Sequence, residues 1–178
     1  PNPSRFASFL AIGFLLTARG AVAAPGIEVL SEPGRVKFSV DGELLTELRF
    51  EAGPKPFFYP LLGPGGVPLT RHFPMRTDTT DEDKDHPHQR SLWFTHGDVN
   101  GVDFWAEGPT KGKVIQTRIE DIQEGADYGH VRTANKWVRP EGKTLLTDVT
   151  TFKVRRSPLG RLFDYEIALK AVSYTHLT

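Results

Sequence analysis

The stretch Asp85 to Glu107, DHPHQRSLWFTHGDVNGVDFWAE, holds the side chains best suited to chemistry. Three of the chain's six histidines, His86, His88 and His96, fall inside it, together with two of its three tryptophans, Trp93 and Trp105. Arg90, Asp98, Asn100, Asp103 and Glu107 fill the spaces between them. A strand that serves only a core has no need of so much imidazole, carboxylate and indole. A site that grips a polar ligand does.

Three readings of this cluster compete. The first is a metal site: His-x-His presents two imidazoles together, and His96 or Asp98 would complete a ligand set. Against it, Gln89, Arg90, Ser91 and Leu92 stand where a cupin-type site places a glutamate, and Arg90 sets positive charge beside any cation. The second is a carbohydrate-type pocket, in which indole faces stack on sugar rings while His, Arg, Asp and Asn hydrogen-bond hydroxyls. The third is structural, with histidines that cap turns and tryptophans that fill core.

On the carbohydrate reading the roles divide by chemistry. His86, His88 and His96 supply hydrogen bonds, and His88 or His96 is the proton donor, because imidazole alone titrates unperturbed near neutrality. The rigid fork of Arg90 suits an oxyanion or a pair of hydroxyls. Trp93 or Trp105 is the stacking face, and Asp98, Asn100 and Asp103 orient the ligand or the imidazoles. Glu107, the one glutamate of the stretch, is the carboxylate available as a base. Arg71 and His72, upstream, are expected to reach the same pocket. The alternative to a carbohydrate-active enzyme is a non-catalytic sugar-binding module. The ligand is expected to be a small molecule or carbohydrate; the sequence names no cofactor and leaves a metal open.

The elements that must position these groups can be read on either side. His86 and His88 share a face if the segment is extended, as Pro87 favours for its predecessor, and Arg90 keeps the same parity. Ser91 to Thr95 reads as a buried strand, Gly97 to Gly101 (GDVNG) as a turn, and Phe104 and Trp105 as the start of a return strand. Upstream, Val36, Phe38 and Val40 alternate with polar residues, Asp41-Gly42 signals a hairpin, and Leu44, Leu48 and Phe50 continue the apolar face. Lys55 to Pro74 holds five prolines, which allow only short strands, at Phe57–Leu61 and Val67–Thr70. Phe57, Phe58 and Tyr59 are expected to plug the core, and 77–85 to be a solvated loop. Downstream, strands are expected at Lys113–Ile122, Gly129–Val138, Thr144–Arg155 and Arg161–Ala171. The last carries Phe163, Tyr165, Ile167 and Leu169 on one face. At least eight strands without a helical period predict an all-β fold, an antiparallel β-sandwich forming one domain over 25–171.

Composition narrows the partners. Lys and Arg number 22 against 22 Asp and Glu, which argues against nucleic acid or an anionic membrane surface as the partner. There is no cysteine, so the fold is no disulfide-stapled scaffold. At the start, Arg5, the apolar run Phe6 to Leu16 and Ala21-Val22-Ala23 have the form of a signal peptide over 1–24. The mature chain is therefore expected to be exported, to the periplasm or beyond, and to carry no membrane span.

The segments KPFFYP, GVPLTR and DHPHQRSLWFTHGDVNGVDFW resemble a bacterial family of unknown function labelled methane oxygenase PmoA-like. The resemblance covers Ile27 to Lys170; Ser91 stands where that family usually has glycine. It implies a β-sandwich, in the manner of the galactose-mutarotase supersandwich. It also implies a chain truncated at its C-terminus, since family members are nearly twice as long, with an exposed apolar face near Phe163 to Leu169; the closing residues, VSYTHLT, read by themselves as a non-native tail over 172–178. The label implies, as an alternative function, a metal-dependent oxygenase, but the monooxygenase subunit it refers to is a multi-span membrane protein, and no stretch after residue 24 could span a bilayer.

Overall fold

The computed structural model of the chain describes residues 25–172. The signal peptide expected over 1–24, and all but Val172 of the tail expected over 172–178, lie outside the described residues. Among the described residues, nine strands form two antiparallel sheets. The first holds β1 (Ile27–Glu32), β2 (Arg35–Val40), β3 (Glu43–Arg49), β4 (Phe57–Leu61) and β5 (Leu92–Trp93), side by side in that order. The second holds β6 (Lys113–Gln123), β7 (Tyr128–Val138), β8 (Thr144–Ser157) and β9 (Gly160–Ala171), also in chain order. The only helical piece described is a short 3-10 turn at Pro64–Gly66. No described helix is long and apolar enough to cross a membrane.

The sheets face each other through one core. Val36, Phe38 and Val40 alternate inward from β2 and meet Val131, Phe152 and Val154 from β7 and β8. Phe152 sits at the centre of an aromatic cluster, 5.4 Å from Phe38 and 4.1 Å from Phe58 between ring centroids. Asp41 (φ 55°) and Gly42 (φ 78°) close the β2–β3 hairpin, both in the left-handed conformation that a tight two-residue turn requires. A bulge between Phe38 and Ser39 then shifts the register of β3. The buried pair on β3 is accordingly Leu45 and Leu48, not the Leu44 and Leu48 of simple alternation.

Other expectations fail for local reasons. Val67–Thr70 is not a strand: Pro68 has no N–H to extend a ladder, and only a bridge to Leu62 forms. The buried strand expected at Ser91–Thr95 shrinks to the half-buried pair Leu92–Trp93, because Ser91 (φ 53°) turns the chain into it. Phe104 and Trp105 start no strand. Asp103 Oδ1 accepts from the amides of Trp105 (2.7 Å) and Ala106 (3.1 Å), and this side-chain turn replaces the ladder. On β9, Phe163, Tyr165 and Ile167 are half-buried and Leu169 is 51% exposed, so the inner face of this edge strand is open to solvent toward its end.

A second core lies under the stretch singled out above. Val99, Val102 and Phe104 pack on Val114, Trp137 and Leu146 at one end of the second sheet. The histidine-rich loop therefore carries its own apolar anchors. Gly112 permits the closest of these contacts: a Cβ there would lie 2.4 Å from the Phe104 ring. Beneath it, the buried Asp148 carboxylate accepts from Trp137 Nε1 (2.7 Å), Asn135 Nδ2 (2.6 Å) and Thr150 Oγ1 (2.8 Å), which fixes the indole in the core.

Candidate functional site

The site is built on the junction of β4 and β5, where Trp93 pairs with Phe57 and Leu92 with Phe58. Thr70 and Ser91 exchange a hydroxyl hydrogen bond of 2.7 Å that holds the entry to β5. After Trp93 the chain leaves the sheet, and Thr95 Oγ1 donates to the Phe104 carbonyl at 2.9 Å, closing the base of the loop. The tip is a tight turn from Val99 to Val102 with Asn100 (φ 52°) and Gly101 (φ 76°) left-handed, as an Asn-Gly pair favours. Asp98 Oδ1 caps it by accepting from the Gly101 amide at 2.7 Å.

Three charges sit beneath the loop. Arg90 donates to both oxygens of Glu107, at 2.9 and 2.8 Å. Lys55 is 2% exposed and donates to the carbonyls of Trp105 (2.8 Å) and Phe104 (3.2 Å). Its ammonium lies 3.9 Å from Glu107 and 5.0 Å from the Trp93 ring centre. Burial pushes the Lys55 amine below its usual range, although the Glu107 charge opposes this. Burial also acts to raise Glu107, but the Arg90 fork and the charges of Arg90, Lys55 and His88 outweigh it and hold the carboxyl low. Glu107 is thus a firmly ionised carboxylate with both oxygens engaged.

Above these charges lies an aromatic shelf. Trp105 is 43% exposed, and its ring centre is 4.9 Å from that of Trp93. Its Nε1–H donates to His88 Nε2 at 2.8 Å. In neutral His88 the proton must therefore sit on Nδ1, since Nε2 is the acceptor. Burial, followed by the charges of Lys55 and His86, lowers the His88 pKa from its ordinary value. Geometry and charge agree on a neutral imidazole. Beside it, the His86 ring is 5.8 Å away, with Nδ1 2.5 Å from Asp85 Oδ2. Arg71 clamps this corner, donating to the Asp85 carboxylate (2.7 Å) and to the carbonyls of Asp85 (2.9 Å) and His86 (3.1 Å). The segment is not extended as the His-x-His spacing suggests. His86 is left-handed (φ 46°), and its carbonyl accepts from the Gln89 amide in a turn. A depression of about 420 Å³ opens over the shelf, lined by Gln89, Trp93, Phe94, Thr95 and Trp105.

The structure thus gathers His86, His88, Arg90, Trp93, Trp105 and Glu107 in one place, with Arg71 bracing its edge. Asp103 lies under it as a turn-former and takes Lys111 at 2.9 Å. His72 is turned elsewhere: its Nδ1 pairs with the Tyr59 hydroxyl at 2.8 Å, and Glu82 holds its amide. His96, Asp98 and Asn100 lie across Phe94, lining a separate depression of about 250 Å³. His96 Nδ1 is 2.9 Å from the Asp98 carbonyl. Among the described residues no three His, Cys, Asp or Glu side chains converge to hold a metal ion. Sequence reasoning missed Lys55, whose signal was a lone lysine opening an apolar run, and the lining residues Gln89, Phe94 and Thr95.

No curated protein and no solved structure matches the chain. The profile of the Family of unknown function (DUF6807) matches residues 35–178, which takes in every strand but β1 and the whole of the site, and the chain belongs to that family.

Proposed function

We propose that this is an exported carbohydrate-active protein whose sugar-binding face is the Trp105 shelf. The observation that carries the reading is the state of Trp105. Its ring is exposed, backed by Trp93, and its only polar atom is already held by His88, so what it offers a ligand is a flat apolar face. Such a face with polar neighbours suits the C–H side of a sugar ring. Gln89 and Thr95 border the same depression and can meet hydroxyls. His88, whose Nε2 is taken by Trp105, can meet a bound ligand through Nδ1–H and passes it a proton only from the protonated ring; Arg90 and Glu107 position it from below through Lys55 and the Trp105 backbone. Trp105→Ala should abolish binding of mono- and oligosaccharides measured by calorimetry on the mature chain. Unchanged binding would sink the reading. Loss of binding in Trp105→Ala with no turnover of any bound sugar by the wild type would leave a sugar-binding module, whereas turnover unchanged in His88→Ala would remove this imidazole from the acid role.

The methane-oxygenase label of the resembled family offers a second reading, with His86 and His88 as paired imidazole ligands. The donors fit it poorly. Asp85, the carboxylate bonded to His86, is also committed to Arg71, and Trp105 occupies His88 Nε2. Stoichiometric retention of iron, copper, zinc or manganese after loading and dialysis would restore the oxygenase reading.

A further inference from the structure

The depression that holds His96, Asp98 and Asn100 differs in character from the shelf. Its walls are Phe94, Val99, Trp137, Leu146 and Leu169, and it is largely apolar. Two of these side chains are exposed, Phe94 at 36% and Leu169 at 51%. Phe94 also lines the shelf depression, so the two spaces adjoin across one ring. The Phe94 and Trp137 rings lie 6.0 Å apart at 70°, an edge-to-face arrangement that a further aromatic ring can join. The walls are preformed, because Val99 and Val102 are anchored in the second core on either side of a tight turn. At about 250 Å³ the space is smaller than a drug-sized site and suits one ring system. The lining carries one carboxylate, Asp98, and no Lys or Arg, which disfavours an anionic guest such as a fatty acid.

We infer that the ligand is a neutral aryl glycoside, its sugar ring on Trp105 and its aromatic aglycone in the pocket of Phe94, Val99, Trp137, Leu146 and Leu169. The inference rests on the carbohydrate reading and adds the substrate class. His96 lies at the rim of this pocket. With Nδ1 held in its own turn, its Nε2 is left to hydrogen-bond a substituent on the aglycone or the glycosidic oxygen.

The test compares methyl and phenyl glycosides of the same sugars, with phenol alone as a probe of the pocket. Phenyl glycosides should bind at least about tenfold more tightly than methyl glycosides, from the apolar area of one ring. Leu169→Glu, at an already exposed position, should bring phenyl affinity down to the methyl level and leave methyl affinity unchanged. Phenol should perturb the Val99 and Leu169 methyl resonances in both the wild type and Trp105→Ala. Equal methyl and phenyl affinities would overturn the inference while the sugar site stands. No binding of any glycoside, with phenol still perturbing the pocket, would overturn the sugar reading and the glycoside assignment with it. Concentration-dependent dimerisation that Leu169→Glu abolishes would instead show this face to be an interface between copies of the chain, and would also overturn the inference.

Discussion

His88 shows how far single-residue chemistry depends on neighbours. Its imidazole is not a free general acid; one nitrogen is tied to the Trp105 indole, and protonation would set two N–H groups against each other. The resulting prediction is direct. In the folded chain His88 should titrate below 6.5, and Trp105→Phe, which removes the opposing N–H but keeps a ring, should move it upward. Two-dimensional nitrogen-detected NMR of the imidazole reads both the midpoint and the Nδ1–H tautomer; a midpoint at or above 6.5 in the wild type would reject the arrangement. The linkage sign follows. A histidine depressed in the folded state contributes stability that is fully present above the unfolded value of 6.5 and is lost as pH falls through the folded value. Glu107, depressed below 4.5, adds a second loss of the same sign at lower pH.

Ser91 is a second case at this scale. It occupies a left-handed conformation, which costs an L-residue roughly 1–2 kcal/mol. Its hydroxyl bond to Thr70 offsets about 1 kcal/mol of that. Ser91→Gly should therefore leave urea stability nearly unchanged, whereas Ser91→Ala, which keeps the strain and loses the bond, should cost about 1 kcal/mol. Equal effects of the two changes would show that the backbone strain is not real. That His86, His88, Arg90, Trp93, Trp105 and Glu107 would lie together was legible from the density of the stretch alone. Lys55 was not, because its role depends on burial beside Glu107, 52 positions away, and nothing local announces that contact.

At the scale of elements, alternation was a sound guide wherever backbone ladders were free to form. The four long strands of the second sheet lie where period-two segments and turn residues place them, with ends differing by a residue or two. The guide failed where a bulge or a proline intervened, at Leu44 and at Val67–Thr70, and inside the histidine-rich stretch. There, side chains compete with the ladder for backbone amides: Asp103 takes those of Trp105 and Ala106, and Asp98 that of Gly101. The stretch is a braced loop for that reason, and its polar residues fall into two groups on either side of Phe94. Three separate segments, those of Lys55, Arg90 and Glu107, are fastened together by one carboxylate. Glu107→Gln should cost about 1–3 kcal/mol, because it leaves two partly desolvated cations facing each other. Adding Lys55→Met should recover part of that loss, so that the double change costs less than the sum of the singles in chemical denaturation. Strict additivity would mean that the 3.9 Å approach of Lys55 to Glu107 has no energetic content.

At the scale of the whole molecule, the question is whether the site folds by itself or only with the sandwich. The two apolar cores share strands. β7 supplies Val131 to the first and Trp137 to the second, while β8 supplies Phe152 to the first and Leu146 to the second. A strand cannot lose one core and keep its ladder for the other without exposing paired backbone along its length. The described domain should therefore unfold in one transition, as small domains usually do. Phe152→Ala tests this. Phe152 is fully buried against Phe38 and Phe58, and truncation of such an aromatic costs about 3–5 kcal/mol, a large share of the roughly 5–15 kcal/mol that holds a domain together. Its effect should be felt equally by far-UV circular dichroism, which reports both sheets, and by the fluorescence of Trp137, which reports the second core under the histidine loop. In a background with Trp93 and Trp105 replaced by Phe, so that Trp137 is the one indole left, the two midpoints should fall together. A Trp137 transition that stays in place while the circular dichroism midpoint drops would mean that the loop and its core are a separate folding unit, able to hold the site without the sandwich beneath it.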